Sequence, residues 1–165
     1  MAIAISSIGI KVSYAFEAVA GTRPTTGYTH IEGIKEIPEL NPAPDTLETT
    51  SFDNLEYKSY INGLKDLGGS LSFTANFTQD LFDKWNGDGG VMELYKTNKD
   101  LGKEMWVCID IPGITDACFF TAEPSKIGVP GVGVNEVLET PLYITPTGEP
   151  TWEAKPSYTE TNPTE

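Results

Sequence analysis

Lysine and arginine are scarce in this chain, 11 against 24 Asp and Glu, and the formal net charge is −13. Proteins that grip nucleic acid set clustered cations against phosphates and release counterions, so this balance excludes a phosphate-gripping surface. Long apolar runs are missing as well. Nothing approaches the ~18 residues of a membrane span. The start lacks the basic stretch and long apolar segment of a secretory leader, which points to synthesis and use in the cytosol. Histidine occurs once, at His30, with no nucleophile tied to it by a local motif. Two cysteines, Cys108 and Cys118, are too few for a disulfide framework or a structural zinc site. In a reducing cytosol they are expected as small buried hydrophobes rather than as a bonded pair.

Signatures of catalysis and ligand binding are also thin. Carboxylate pairs such as Glu136 with Glu139, or Asp80 with Asp83, suit glycosidase chemistry in type, but a chain this acidic produces such pairs by chance. "NGDGG" at 86–90 lacks the alternating acids and terminal bidentate Glu of a calcium loop and reads as a turn. "GVPGVGV" at 128–134 has neither the lysine nor the following helix of a phosphate loop and reads as a connection between strands. The expectation is a protein that is not an enzyme and needs no cofactor or metal.

What the chain does have is alternation with a period of two, the mark of half-buried strands. In "SLSFTANF", Leu71, Phe73, Ala75 and Phe77 fall on one face and Ser70, Ser72, Thr74 and Asn76 on the other. In "EMWVCIDI", Met105, Val107, Ile109 and Ile111 share a face while Trp106 and Cys108 share the opposite one, so this strand is expected to be covered on both sides. "DACFFTAE" returns antiparallel to it. A hairpin centred on Gly113 places Cys108 opposite Cys118 and pairs Trp106 with Phe120. A further strand runs through "GVNEVLETPLYI", where Pro141 marks an edge or a bulge.

One short helix is expected in "TQDLFDKWNGDGG", with Thr78 as N-cap, Asp80 in the first turn, Leu81, Phe82 and Trp85 on one stripe and a glycine-rich stop. The fold class is therefore mainly β, an antiparallel sandwich or partial barrel with one short α-helix, a long inter-strand loop and extended termini. Residues 1–148 form the β domain with its N-terminal arm. Residues 149–165 are an extended acidic tail rich in Pro and Thr. "SYINGLKDLGG" at 59–69 is too apolar and too long for an ordinary turn. Tyr57, Tyr60, Ile61 and Leu64 fall at i, i+3, i+4 and i+7, which permits a short amphipathic helix folded on its own domain. Gly63, Gly68 and Gly69 weaken that helix.

The ordered series "GTRP", "IPEL" with a Pro-rich step into "LETTSFD", "YINGLKDLGG", and an alternating strand followed by a short helix containing Trp85 covers about residues 9 to 90. In this order it resembles the tail tube (major tail) proteins of long, non-contractile-tailed bacteriophages of Gram-positive hosts. The resemblance implies a subunit that forms rings, usually hexameric, whose inner strands join into a barrel lining a channel. The rings stack into a tube, assembled in the host cytoplasm and carried in the virion tail, through which the genome is delivered. Implied partners are further copies of the chain, a tape-measure protein, and tail tip and tail terminator proteins. Genomic DNA passes through without specific binding, and no membrane is involved. The resemblance also implies that the long loop reaches a neighbouring ring, which favours an inter-subunit arm of Tyr57, Tyr60, Ile61, Leu64 and Leu67 over the short helix. An acidic lumen would repel DNA and let it slide. Its candidate residues are the polar alternates Ser70, Ser72 and Thr74, with Glu136. The alternative is a carbohydrate-binding β-sandwich using exposed aromatics such as Trp106, Trp152 and Tyr158, whose scatter along the chain argues against one flat platform.

Overall fold

A computed structural model describes residues 3–159. The elements in chain order are β1 (Lys11–Phe16), β2 (Thr29–His30), β3 (Ile34–Glu36), β4 (Pro44–Glu48), β5 (Tyr60–Lys65), β6 (Leu71–Asn76), α1 (Gln79–Asn86), α2 (Val91–Asp100), β7 (Met105–Asp110), β8 (Asp116–Pro124), β9 (Glu139–Pro146) and β10 (Thr151–Ala154). They form two compact units, residues 39–69 and the rest. In the larger unit an antiparallel sheet runs in the order β2-β1-β7-β8-β9-β6-β3 and curls into a half-barrel. The smaller unit is the β4–β5 hairpin.

Register explains how the curled sheet is buried. Directly paired residues share a face, and the pairs Val12↔Ile109, Val107↔Phe120, Met105↔Ala122, Phe73↔Leu142, Ala75↔Thr140 and Leu71↔Ile144 all fall on one face. Apart from half-buried Leu71 these residues are buried, and the helices add Leu81, Trp85 and Val91 to the core. The opposite face of β1, β7 and β8 has its own cluster of Ala15, Cys108, Ala117 and Phe119 with Tyr28, packed against Trp106 and Tyr158. The Tyr28 and Phe119 rings meet edge to face at 5.7 Å. The expectation that β7 is covered on both sides is met.

The β7–β8 register differs from the expected one by a single residue. Ile109 pairs with Cys118, Cys108 with Phe119 and Trp106 with Thr121, so Cys108 does not face Cys118 and Trp106 does not pair with Phe120. The cause is the turn. Ile114 N–H donates to Ile111 C=O at 3.2 Å, with Pro112 and a left-handed Gly113 (φ 91°) between them. Proline followed by a positive-φ glycine makes a type II turn. This turn sits asymmetrically in the connection 111–115, and the hairpin axis falls between Gly113 and Ile114 and not on Gly113. One residue of slip turns side chains to the other face, which places the two cysteines on opposite sides of the sheet, free and buried. Burial pushes the Cys108 thiol up to about 12, which leaves it protonated and unreactive.

Thr78 caps α1 as expected, its Oγ1 accepting from Leu81 N–H at 3.1 Å. Phe82 does not join the stripe of Leu81 and Trp85. It is exposed and meets Phe77 edge to face. "NGDGG" is a turn, and it leads into a second helix, α2, that the sequence reading does not anticipate. A Cβ at Gly87 would lie 2.5 Å from Asp83 O, and one at Gly90 2.8 Å from Lys84 O, so the chain can fold back this tightly only with glycine. The strand expected to start near Val134 starts at Glu139. Asn135 is left-handed (φ 62°) and the Glu136 carboxylate accepts from Gly133 N–H at 2.9 Å, so local turn chemistry overrides the alternation there. Pro141 pairs toward β6, while β8 meets β9 only from Ile144 onward, so the proline does sit on a locally open edge.

Part of the Pro/Thr-rich tail belongs to the sheet. β10 pairs with β8 from Thr151↔Phe119 to Ala154↔Asp116, and Tyr28 bridges Tyr158 in parallel. Residues 160–165 of that tail lie outside the described residues. Asp110 fastens the segment, accepting from Tyr158 Oη and Lys155 Nζ at 2.8 Å each. Burial alone would raise the Asp110 carboxyl, but the Lys155 and Tyr158 hydrogen bonds together outweigh it and hold the group below its ordinary value. A depressed carboxylate contributes stability above its unfolded pKa and loses it as pH falls through the lower folded value.

Two outcomes follow. Below about pH 4, hydrogen exchange at 151–154 is expected to accelerate before that of β7, and Asp110→Asn should show the fast exchange already at neutral pH. Unchanged exchange in the variant would remove Asp110 as the fastening. Phe73→Ala empties a fully buried site and should cost about 3–5 kcal/mol in denaturant unfolding.

Candidate functional site

The hairpin of residues 39–69 is where expected site residues come together. β4 and β5 pair antiparallel through Thr46↔Asn62, Leu47↔Ile61 and Glu48↔Tyr60, with a bulge between Pro44 and Thr46. Gly63 and Leu64 form that bulge opposite Asp45, and a Cβ on Gly63 would come 3.2 Å from Asp45 O. Tyr60–Lys65 is therefore a strand, and the short helix that the i, i+3, i+4, i+7 spacing permits does not form. Because strand side chains alternate, Ile61 joins Leu47 on one face while Tyr60 lies on the other, and Leu64, in the bulge, breaks the alternation. All four are exposed, as is Tyr57 in the connection, and Leu67 just past β5 is half-buried. A two-stranded hairpin is marginal alone in water, and this one shows apolar side chains on both faces.

The connection 49–59 is closed by its own hydrogen bonds. Thr49 N–H donates to Ser59 O at 2.8 Å, Ser59 N–H to Thr50 Oγ1 at 3.0 Å, and Asn54 Nδ2 to Ser59 Oγ at 2.9 Å. Asn54 N–H donates to Ser51 O at 3.0 Å, a turn with Phe52 and Asp53 at its corner. Phe52 is fully exposed and Leu55 nearly so. Neither is singled out by the sequence reading, because a turn residue has no period to betray it.

A second surface is the polar face of β3, β6 and β9. Ser72 and Thr74 lie opposite Tyr143 and Pro141 and point away from Phe73 and Ala75, with exposed Ser70 just before the strand. Thr74 Oγ1 donates to Glu36 at 3.4 Å, and Lys35 pairs with Glu139. Glu136 is not part of this face, since it lies in the turn before β9.

A third feature is a cavity of ≈ 210 Å³ in the larger unit. Ile31, Leu81, Trp85 and Val91 supply buried apolar walls, Tyr14 is half-buried, and exposed His30, Glu32, Asp80 and Lys84 stand around them. Lys84 and Asp80 pair at 2.9 Å. His30 Nδ1 lies 3.2 Å from Val12 O. Of the aromatics of a sugar platform, Trp106 donates to buried Glu17 at 3.1 Å and Tyr158 donates to Asp110, while Trp152 on β10 is exposed. Among the described residues, no group of three or more His, Cys, Asp or Glu is placed to hold a metal ion, and no helix is long and apolar enough to cross a membrane.

No protein-family model and no curated protein matches the sequence. Among solved structures, a chain of the cryo-EM structure of the anti-feeding prophage baseplate, 6-fold symmetrised, matches with a TM-score of 0.60 at 13% sequence identity. The match covers 93% of this chain and 98% of that one. The likeness is one of fold. It spans the larger unit together with its insertion and is not confined to a shared sheet.

Replacing both Tyr60 and Ile61 by Ser is expected to change monomer stability by no more than about 0.5 kcal/mol, as at other solvent-facing sites, and to abolish self-association in sedimentation velocity. A loss of several kcal/mol would place these side chains in a core of their own chain.

Proposed function

We propose that the chain is a structural subunit of a phage tail, a tail tube protein that assembles into six-membered rings and stacked rings enclosing a channel for genome delivery. The observation that carries this is the near complete two-way coverage of the fold match to a chain from a six-fold phage-derived assembly. The exposed hairpin supports it, because a marginal element with apolar side chains on both faces is explained by burial on another copy. In this reading the arm comprises Tyr57, Tyr60, Ile61, Leu64 and Leu67, the chain has no catalytic role, and it joins other tail proteins in the virion.

The polar face of β3, β6 and β9 is the surface assigned to the lumen. It carries Glu36, Glu139, Ser72 and Thr74, and its one cation, Lys35, is neutralised by Glu139. Such a face offers phosphates nothing to hold, so DNA slides past it. Tyr143, exposed among these residues, is the one aromatic on which a base could stack.

Electron microscopy of the purified protein at rising concentration, with and without tail tip complexes, is expected to show hollow rings or tubes of uniform diameter. A chain that stays monomeric even with tail tips overturns the proposal. In a tube structure, a channel wall dominated by Lys11, Lys35, Lys58 or Lys126 would overturn the lumen assignment.

A further inference from the structure

We infer that the cavity walled by Ile31, Leu81, Trp85 and Val91 is the socket for Phe52 from the hairpin tip of a second copy. This rests on the assembly proposed above and adds the receiving surface. At ≈ 210 Å³ the cavity is below the roughly 300–1,000 Å³ of sites for metabolite-sized ligands. An apolar cavity of about 150 Å³ takes a benzene ring, so this one holds a phenyl group with room for its stem. Tyr14 and Trp85 in the lining are aromatic neighbours for an aromatic occupant.

The occupant is a copy of the same chain because the chain carries the matching part. Phe52 is fully exposed at the corner of a turn whose flanking residues are fixed by four hydrogen bonds, so little is left to order on docking. The area is also adequate. Phe52, Tyr57 and Tyr60 bring about 150–250 Å² each when fully exposed, and Leu47, Leu55, Ile61 and Leu64 raise the apolar area of the hairpin to the order of the 800 Å² that one partner gives a standard interface. Charge does not select the occupant: Lys84 is paired with Asp80 and Glu32 stands beside them, so the apolar fit carries the contact. A tip on one unit and a socket on another make a head-to-tail contact, the kind that closes rings or propagates along a stack.

The test uses the full chain with Asp53→Cys, beside Phe52 at the turn corner, and Glu32→Cys, the native Cys108 and Cys118 being buried. Under mild oxidation at assembling concentration, Asp53→Cys mixed with Glu32→Cys is expected to give a covalent dimer on non-reducing gels, with neither variant alone doing so to the same extent. Phe52→Ser should raise the concentration needed for assembly at least ~10-fold, as loss of an interface anchor does, with its unfolding curve unchanged. Assembly at the wild-type concentration by Phe52→Ser, together with no mixed dimer, overturns the socket while the tube proposal stands. A cross-link formed within single chains of the double variant at non-assembling concentration also overturns it. Failure of the wild-type chain to associate at all, with or without tail tips, overturns both.

Discussion

Strand β8 is the constraint on which the larger unit depends. Along one side it pairs with β7, and along the other it is shared between β10 at its beginning and β9 at its end. Every residue from Ala117 to Ala122 is buried, because one face packs Phe120 and Ala122 into the curled sheet and the other packs Ala117 and Phe119 under Tyr28. A strand buried on both faces tolerates no slip, since one residue of shift would exchange the two sets of side chains. The Pro112-Gly113 turn fixes that register, and the β10 pairing and the Asp110 fastening inherit it.

How much of this was legible in the sequence depended on whether a local pattern and its surroundings agreed. β6 and α1 could be read because alternation, cap and glycine stop all pointed one way. The β7–β8 hairpin was legible, but its register was not: Pro-Gly admits more than one loop length, and one residue of difference moved Cys108 from Cys118 to Phe119. Val134 to Leu138 alternated like a strand, yet Asn135 and the Glu136 carboxylate made a turn there. α2 went unread because Val91 is its one buried residue, too little to leave a helical stripe.

The site was legible in composition and illegible in geometry. Tyr60, Ile61 and Leu64 stood out as apolar residues in an unlikely place, and the glycines counted against a helix, but nothing in the sequence announced that Gly63 sits in a bulge. Glu136 was placed on the polar face by a periodicity that stops before it. Phe52 and the cavity were beyond reach for different reasons. A turn corner has no repeat, and the cavity collects residues from 14 to 91 that only the tertiary fold brings together.

The proposed assembly would set opposing demands on such a chain. Seven large apolar side chains exposed on one hairpin favour association without regard to partner, while a charge of −13 pushes copies apart over the Debye length of about 8 Å at physiological ionic strength. Repulsion of this kind is roughly indifferent to orientation, whereas apolar burial is not: it is gained only where a shaped surface receives the hairpin. The net charge therefore penalises every collision and the hairpin repays only the correct one, which is how an acidic surface converts a sticky element into a selective one. In the proposed tip-and-socket contact, a receiving surface distinct from the hairpin would give this selectivity a direction, since a head-to-tail contact leaves one tip and one socket free after every addition until a ring closes.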